Sequence, residues 1–286
     1  MDIPSAPGLT QAELRALVLG ASVRHEIDYE PTEDGLRLHG VPPLDVSWDE
    51  LALAAADAQA GSELGRQRMA RWLTSRRWIA ERSLDELTER ARPVGLPVGH
   101  PLHPGDDWVR LHVLGGALDL GVGFVGLAQG RPDEVVLVPE GVLAAYGLAT
   151  ARWWAASLSY LEDMGAMAVV RWRRNPRHPL RPMGDCDVVS LLGSAVLRGA
   201  LAGDQGGMRA IAVPMRSRGW LDLRGIDPAF SLAAAALTDP VDRGFQRPLL
   251  LTAEEVAVVP EGGRPAEVVL RDHAPVTSDA RDVLYH

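Results

Sequence analysis

A segment rich in proline and glycine, residues 92–105, separates two stretches of different character. Four of its fourteen residues are proline and three are glycine. Such compositions are typical of domain boundaries. We therefore predict a first part over residues 1–92 and a main domain over residues 93–286.

The first part contains three capping boxes, in which Ser or Thr is followed three positions later by Glu. The pairs are Thr10 with Glu13, Ser47 with Glu50, and Ser83 with Glu86. Because these side chains satisfy the free N–H groups of a first helical turn, each pair predicts a helix start. Together with the apolar periodicity, they predict helices over 11–22, from Trp48, over 63–81 and from Ser83. Alternating residues on both sides of a turn at 31–35 predict one hairpin.

The main domain mixes strand-like and helix-like segments without a regular βαβ period. The predicted strands are 109–113, 135–138, 166–172 and 208–213, with a hairpin over 255–270, and the predicted helices are 141–162, 188–202 and one that opens at Asp227 and Pro228. We therefore expect an α+β fold, in which a helical N-terminal part is followed by a mixed sheet with packed helices. An α/β fold with a duplicated unit is the alternative.

Two loops of similar sequence are the basis for that duplication. The sequence His-Pro-Leu-His-Pro-Gly-Asp-Asp at 100–107 resembles His-Pro-Leu-Arg-Pro-Met-Gly-Asp-Cys-Asp at 178–187. The first loop is followed by Leu-Gly-Gly-Ala and the second by Leu-Gly-Ser-Ala. If the match reflects a repeat, its copies cover about 94–150 and 172–225.

The same two loops hold the candidate metal ligands. These are His100, His103, Asp106, Asp107, His178 and Asp185. Imidazole and carboxylate ligands suit Zn or Mn, and either metal could activate water, so a metal-dependent hydrolase is one functional hypothesis. The alternatives are a proline-bearing loop whose Asp side chains cap the next element, and acid–base chemistry by the same groups without a metal.

The densest positive run surrounds a tryptophan and leads into the second loop. Its residues are Arg171, Trp172, Arg173, Arg174, Arg177 and Arg181. A guanidinium group beside an indole can bind a phosphate, a carboxylate or an acidic side chain of a protein partner. The alternative is a solvated surface whose arginines pair with nearby carboxylates. We take these residues as the candidate binding surface.

Composition and motif context exclude several classes of function. All 29 basic residues are Arg, so lysine Schiff-base chemistry is excluded. The net charge of −9 argues against broad attraction to nucleic acid, although the arginine-rich helix at 63–81 leaves a DNA-binding regulator as an alternative. The glycine pattern at 121–126 matches the dinucleotide-binding motif, but Gly130 and Pro132 interrupt the helix that must follow it. The single cysteine, Cys186, lies between two Asp residues whose charges disfavour a reactive thiolate.

These observations favour a protein that binds a protein partner or a small anionic ligand, without catalysis and without a cofactor. The opening residues lack the basic and apolar regions of a signal peptide, and no apolar run suits a bilayer span, so we expect a cytoplasmic protein. Trp153 and Trp154 are adjacent in a predicted helix, where one would enter the core and the other could contact a second copy in a homodimer.

Overall fold

The computed structural model describes residues 9–40, 43–55, 63–100, 103, 108, 110–128, 135–138, 142, 149–221, 228–252 and 256–258. Contacts within the chain group it into two compact units. The first comprises Met1–Arg90, Pro104–Val109 and Phe124–Thr150, and the second comprises Ala91–His103, Arg110–Gly123 and Ala151–His286. The second unit thus begins at Ala91, two residues before the predicted start of the main domain. Within the predicted main domain, Pro104–Val109 and Phe124–Thr150 belong to the first unit.

The protein has the α+β fold that the sequence predicts. The described helices are α1 (Gln11–His25), α2 (Trp48–Ala54), α3 (Glu63–Ala80), α4 (Leu84–Arg90), α5 (Ala149–Arg174), α6 (Val188–Leu191), α7 (Ala195–Gly203) and α8 (Pro228–Leu237). A short 3₁₀ turn covers Pro240–Asp242. Within the described chain, no helix has both the length and the apolar character that a membrane crossing requires.

The described strands form three sheets. They are β1 (Tyr29–Pro31), β2 (Gly35–Leu38), β3 (Leu44–Ser47), β4 (Ala91–Pro97), β5 (Arg110–Val113), β6 (Leu118–Val125), β7 (Val135–Leu137), β8 (Met208–Met215), β9 (Arg218–Trp220), β10 (Leu249–Thr252) and β11 (Val256–Val258). The strand orders are β1-β2-β3, β4-β6-β5 and β11-β10-β8-β9. The β5–β6 and β8–β9 pairs are antiparallel, which suits strands joined by short turns. Strand β8 also pairs antiparallel with β10, although β9 and α8 lie between them in the chain.

In the first unit, α1 packs against α3. The small sheet β1-β2-β3 is formed by residues that lie between these two helices in the sequence. All three predicted capping boxes form, so the helices begin where the sequence places them. On one face of β2 and β3, the cross-strand pairs Leu36–Val46 and Leu38–Leu44 are buried. Arg37 and Asp45 pair on the other face, with 2.6 Å between Nε and Oδ1.

In the second unit, α7 packs on β8 and β10, and α8 packs on β8. The core of this unit also receives one face of α5, including Leu161, Val169 and Trp172. Trp153 is buried as predicted for one member of the tryptophan pair, and its neighbour Trp154 is half-buried. The long helix α5 therefore carries a buried stripe for most of its length, and its C-terminus ends at the surface.

The prediction of a connector at 92–105 is wrong for its first half, which forms strand β4. Val94 and Leu96 are buried, and Gly95 N–H donates a 2.8 Å hydrogen bond to Ser190 Oγ. A Cβ on Gly95 would lie 2.8 Å from Ser190 Cα, so this close approach requires glycine. Prolines are tolerated here because β4 lies at the edge in the order β4-β6-β5, where a missing N–H breaks no central ladder.

Two further predictions need correction. The strand predicted at 166–172 is part of α5, because Ala168, Val169 and Trp172 are buried while Met167 and Val170 are exposed, a helical and not an alternating pattern. The helix predicted over 188–202 is two helices, since Ser194 caps the second one. The first strand of the hairpin predicted over 255–270 contains β11, which pairs with β10. Residues 259–270, which include the second predicted strand, lie outside the described residues, as do all but one of residues 141–148.

The two segments of the supposed repeat differ in local structure. Leu114, Gly115 and Gly116 have positive φ and form the turn between β5 and β6. The matching residues 192–195 link α6 to α7, and Ser194 there serves as a helix cap. Residues 114–117 thus connect two strands, whereas the similar residues 192–195 connect two helices.

Candidate functional site

The arginine-rich run begins in the last turns of α5 and continues into the loop that follows. Pro176 cannot extend the helix, and Asn175 N–H closes the last turn by donating to the Trp172 carbonyl at 2.9 Å. His178 N–H donates in turn to the Asn175 carbonyl at 3.1 Å. The chain therefore reverses tightly, and this brings residues 178–181 back beside the helix end.

Backbone bonds hold the loop at 178–187 in place. Leu180 exchanges hydrogen bonds with Gly219, at 2.7 and 3.1 Å, and Met183 does the same with Cys186, at 2.9 and 3.0 Å. At the end of the loop, the Asp187 side chain accepts from Ser190 N–H at 2.7 Å and so caps α6. These bonds preorganise the segment, which would reduce the entropy lost when it binds a ligand.

Asp185 has a structural role in the same loop. Its Oδ2 accepts a 2.7 Å hydrogen bond from Arg92 Nε and lies 3.3 Å from the Tyr160 hydroxyl. That hydroxyl also accepts from Asp185 N–H at 3.0 Å, and the Arg92 guanidinium lies 4.3 Å from the Tyr160 ring centre. Asp185 is therefore fully engaged in joining the loop to α5 and β4.

The helix end and the loop enclose a cleft of about 310 Å³, which we call the arginine cleft. Its lining residues are Ala168, Arg171, Trp172, Asn175, His178, Pro179, Leu180 and Arg181. The structure thus brings together Arg171, Trp172 and Arg181 of the predicted binding surface. The remaining three, Arg173, Arg174 and Arg177, are exposed and lie outside the lining.

The arginines around this cleft have no acidic partner in the part of the chain that the structure describes. Among the described residues, no Asp or Glu forms an ion pair with Arg171, Arg173, Arg174, Arg177 or Arg181. Arg171 makes only a long hydrogen bond of 3.4 Å, from Nη1 to the Pro182 carbonyl. The solvated-surface alternative, in which these arginines pair with nearby carboxylates, is therefore not what the described part of the chain shows.

Trp172 forms an apolar wall of the cleft. The residue is buried, and the Arg209 guanidinium lies 4.9 Å from its ring centre. Its indole Nε1 has no hydrogen-bond partner among the described residues. A buried donor without an acceptor costs about 1–3 kcal/mol.

The candidate metal ligands have separate partners. His100 Nε2 donates to the Arg243 carbonyl at 3.0 Å, and burial together with the charge of Arg216 lowers the pKa of this imidazole. His178 Nε2 lies 3.2 Å from Asn175 Nδ2. Asp106 and Asp107 lie outside the described residues. In the described part of the chain, no three His, Cys, Asp or Glu side chains form a group that could hold a metal ion.

His103 instead belongs to a second cleft of about 460 Å³, which we call the histidine cleft. Its lining residues are Val98, Gly99, His103, Arg110, His112, Gly116 and Asp119. Asp119 Oδ2 lies 2.8 Å from His103 Nε2, and its Oδ1 lies 2.5 Å from His112 Nδ1. The Arg110 guanidinium is also close, with 3.5 Å between its Nε and Asp119 Oδ2.

Sequence reasoning missed Asp119, the centre of the histidine cleft. It lies in β6 directly opposite His112 in β5, and its side chain is only 4% exposed. A signal was available, because a carboxylate within a strand of otherwise apolar residues must find a charged or hydrogen-bonding partner when buried. The partner could not be read from the sequence, since it depends on the register of the β5–β6 hairpin.

Two other sequence features find structural roles. In α3, Arg76 is buried and stacks 4.1 Å from the Trp72 ring centre, while Arg77 donates to the carbonyls of His25 and Glu26. These two arginines make contacts inside the first unit. Burial, with smaller contributions from Asp187 and Asp185, raises the pKa of the Cys186 thiol to about 12.

No family model, curated protein or solved structure matches this chain.

Proposed function

We propose that the protein binds a small anionic ligand in the arginine cleft. The observation that carries this function is that Arg171 and Arg181 line the cleft without a described acidic partner, in a chain of net charge −9. Acidic residues outnumber basic ones, so neutralisation by the protein itself would be easy to arrange. A cationic cleft that no carboxylate of the described residues neutralises suits a ligand that carries negative charge.

The helix dipole explains part of the positive charge but not all of it. Arg171, Arg173 and Arg174 lie in the last turn of α5, where cations interact favourably with the free carbonyl groups. Arg177 and Arg181 lie beyond the helix and are not part of its last turn. Arg181 faces the same cleft as Arg171, so two guanidinium groups are available to one ligand.

The cleft also limits the ligand. At about 310 Å³ it is at the small end of ligand-binding cavities. The buried Trp172 ring favours a ligand with an apolar or planar part, and the guanidinium groups favour a phosphate or carboxylate. The same acidic group could be presented by an Asp or Glu side chain of a protein partner. We propose a cytoplasmic setting, since a single cysteine cannot form an intramolecular disulfide and the fold needs no oxidising compartment.

The test is a titration with phenyl phosphate and inorganic phosphate, followed by the indole N–H resonance of Trp172 in nuclear magnetic resonance spectra and by calorimetry. We expect saturable binding, with phenyl phosphate the tighter ligand because its ring can contact Trp172. Substituting Arg171→Gln or Arg181→Gln should weaken binding by roughly 10-fold or more, since a hydrogen bond to a charged group contributes about 1.5–3 kcal/mol. An acidic peptide in the same assay tests whether a protein side chain can supply the anion.

The matched controls are Arg173→Gln and Arg174→Gln, which remove the same charge from the same helix outside the cleft. They should change the affinity by about twofold at most, through long-range electrostatics that salt screens. Equal losses in all four variants would show diffuse charge attraction and not a site. Failure of both phosphates and the acidic peptide to bind at ~10 mM would reject the assigned function.

A further inference from the structure

The histidine cleft holds a buried carboxylate between two imidazoles, and this fixes where the imidazole protons lie. An ionised carboxylate only accepts hydrogen bonds, so each histidine must donate to Asp119. His112 therefore carries its proton on Nδ1, and in neutral His112 the lone pair is on Nε2. Asp119 is 4% exposed, whereas the His112 side chain is 67% exposed. The result is an oriented imidazole on a largely exposed side chain, with its basic nitrogen directed away from the Asp119 oxygen that Nδ1 contacts.

We propose that the histidine cleft is a hydrolytic site in which His112 acts as the general base and Asp119 is its positioning residue. Nothing in this site involves the arginine cleft, so the two can be tested separately. An imidazole that takes up a proton beside a buried carboxylate gains a counter-charge at once, which stabilises the imidazolium form during the reaction. The proton arrangement described above leaves Nε2 ready to accept without a change of tautomer.

The β5–β6 hairpin preorganises this pair. His112 and Asp119 are directly opposite in an antiparallel register, and the turn that joins the strands contains three successive residues with positive φ, Leu114, Gly115 and Gly116. Leu114 is buried although non-glycine residues disfavour this conformation. The surrounding structure therefore imposes the turn, and the turn sets the His112–Asp119 distance.

The groups around the cleft suit small esters or related acyl compounds. His112 Nε2 takes a proton from water while the water oxygen attacks the carbonyl carbon, and the carbonyl oxygen becomes negatively charged. The intermediate then collapses, the bond to the leaving oxygen breaks, and that oxygen takes the proton from Nε2, so water is the only co-reactant. The charge of Arg110, which lines the same cleft, favours a reaction in which negative charge develops.

Spectroscopy tests the arrangement without a substrate. The ¹⁵N chemical shifts of His112 should show the Nδ1–H tautomer in the wild-type protein at neutral pH. In Asp119→Asn the tautomer should shift toward the Nε2–H form that predominates in free imidazole side chains. If Asp119 had only a structural role, Asp119→Asn would change the stability of the protein but not the tautomer of the exposed His112 ring.

Hydrolysis of p-nitrophenyl acetate by the full chain tests the activity. We expect the rate constant to fall at least 10-fold in His112→Gln, because general-base catalysis contributes roughly 100- to 10,000-fold. Asp119→Asn should lower the rate and change its pH profile. Because Asp119 is buried, its substitution can also disturb the fold, whereas His112 is exposed and His112→Gln should leave the fold intact. The matched control is His39→Gln, which removes another exposed histidine that has no carboxylate partner among the described residues. This control should stay within about twofold of the wild-type rate.

Three results would overturn the assignment: an unchanged rate in His112→Gln, an Nε2–H tautomer in the wild-type protein, or no hydrolysis above that of free imidazole at the same concentration. Stoichiometric zinc that is bound by the wild-type protein and lost in His112→Gln would also overturn it, in favour of a metal centre. None of these results would affect phosphate binding in the arginine cleft.

Discussion

Ser194 Oγ donates a 2.6 Å hydrogen bond to Glu162 Oε2. The same carboxylate accepts the N–H groups of Ala195 at 2.9 Å and Val196 at 3.1 Å, the first two residues of α7. Ser194 Oγ also accepts from Leu197 N–H at 3.1 Å. A side chain of α5 and the residue that caps α7 therefore satisfy the N-terminus of α7 together, and the positive end of its dipole faces a negative charge.

Glu162→Gln should lower the free energy of unfolding by about 1–2 kcal/mol, because the neutral amide makes weaker bonds to the helix N–H groups and loses the interaction with the dipole. Urea unfolding followed by circular dichroism measures this change. The matched control, Asp163→Asn, removes the same charge from an exposed neighbour and should change the free energy by less than about 0.5 kcal/mol. Equal effects of the two substitutions would contradict a specific role for Glu162.

Gly165→Ala should destabilise the protein although alanine is the better helix former. A Cβ on Gly165 would lie 2.0 Å from Ser194 Oγ and 2.7 Å from Ser194 Cβ. Overpacking of this kind costs about 1–3 kcal/mol, against a gain in helix propensity of about 1 kcal/mol.

The matched control for Gly165 is Gly199→Ala in α7, where an added Cβ meets nothing within 4 Å. This substitution should raise the free energy of unfolding by up to about 1 kcal/mol. Opposite signs for the two variants in thermal or urea unfolding are the expected result. Stabilisation by both would show that α5 can move away from Ser194.

Cys186 should be inert toward thiol reagents in the native protein. Its pKa of about 12 leaves very little thiolate at pH 8, so disulfide exchange with Ellman's reagent should be roughly 1,000-fold slower than for an exposed cysteine. Burial adds a steric barrier. Rapid labelling that is unchanged by denaturant would contradict the buried environment, whereas labelling that begins only on unfolding in urea would agree with it.

His100 should make the protein sensitive to mild acid. Its pKa is lowered in the folded state, mainly by burial and then by the charge of Arg216, so below about pH 6.5 the unfolded chain binds a proton that the folded chain does not. The free energy of unfolding should therefore fall as pH decreases from about 6.5 toward the folded pKa, by up to about 1.4 kcal/mol per pH unit.

The comparison for His100 is His100→Gln, whose amide can still donate to the Arg243 carbonyl but does not titrate. All other ionisable groups are common to both proteins, so the difference between their urea-unfolding curves isolates the His100 contribution. The variant should lose less stability than the wild-type protein between pH 7 and pH 5. Parallel curves would show that His100 titrates in the folded protein as it does in the unfolded chain.

The arginine cleft could be anticipated because its parts are close in the sequence. Arg171 and Arg181 are ten residues apart, and one helix end with one turn is enough to bring them together. The supposed metal site needed contacts between residues almost 80 positions apart, and nothing in the sequence specified such contacts. The strand predicted at 166–172 failed for a related reason, since a short apolar run does not reveal whether its neighbours continue it as a helix.

The sequence by itself determined where α1, α2 and α4 begin, because a capping box acts between residues only three positions apart, as Thr10 and Glu13 do. It also determined the α+β class and the dense positive charge around Trp172. Only the tertiary structure decided which carboxylates meet which hydrogen-bond donors. Asp119 meets His112 through the register of a hairpin, and Glu162 meets Ser194 through the packing of two helices. Those pairings depend on burial of apolar surface elsewhere in the unit, a property of the whole fold and of no local stretch of chain.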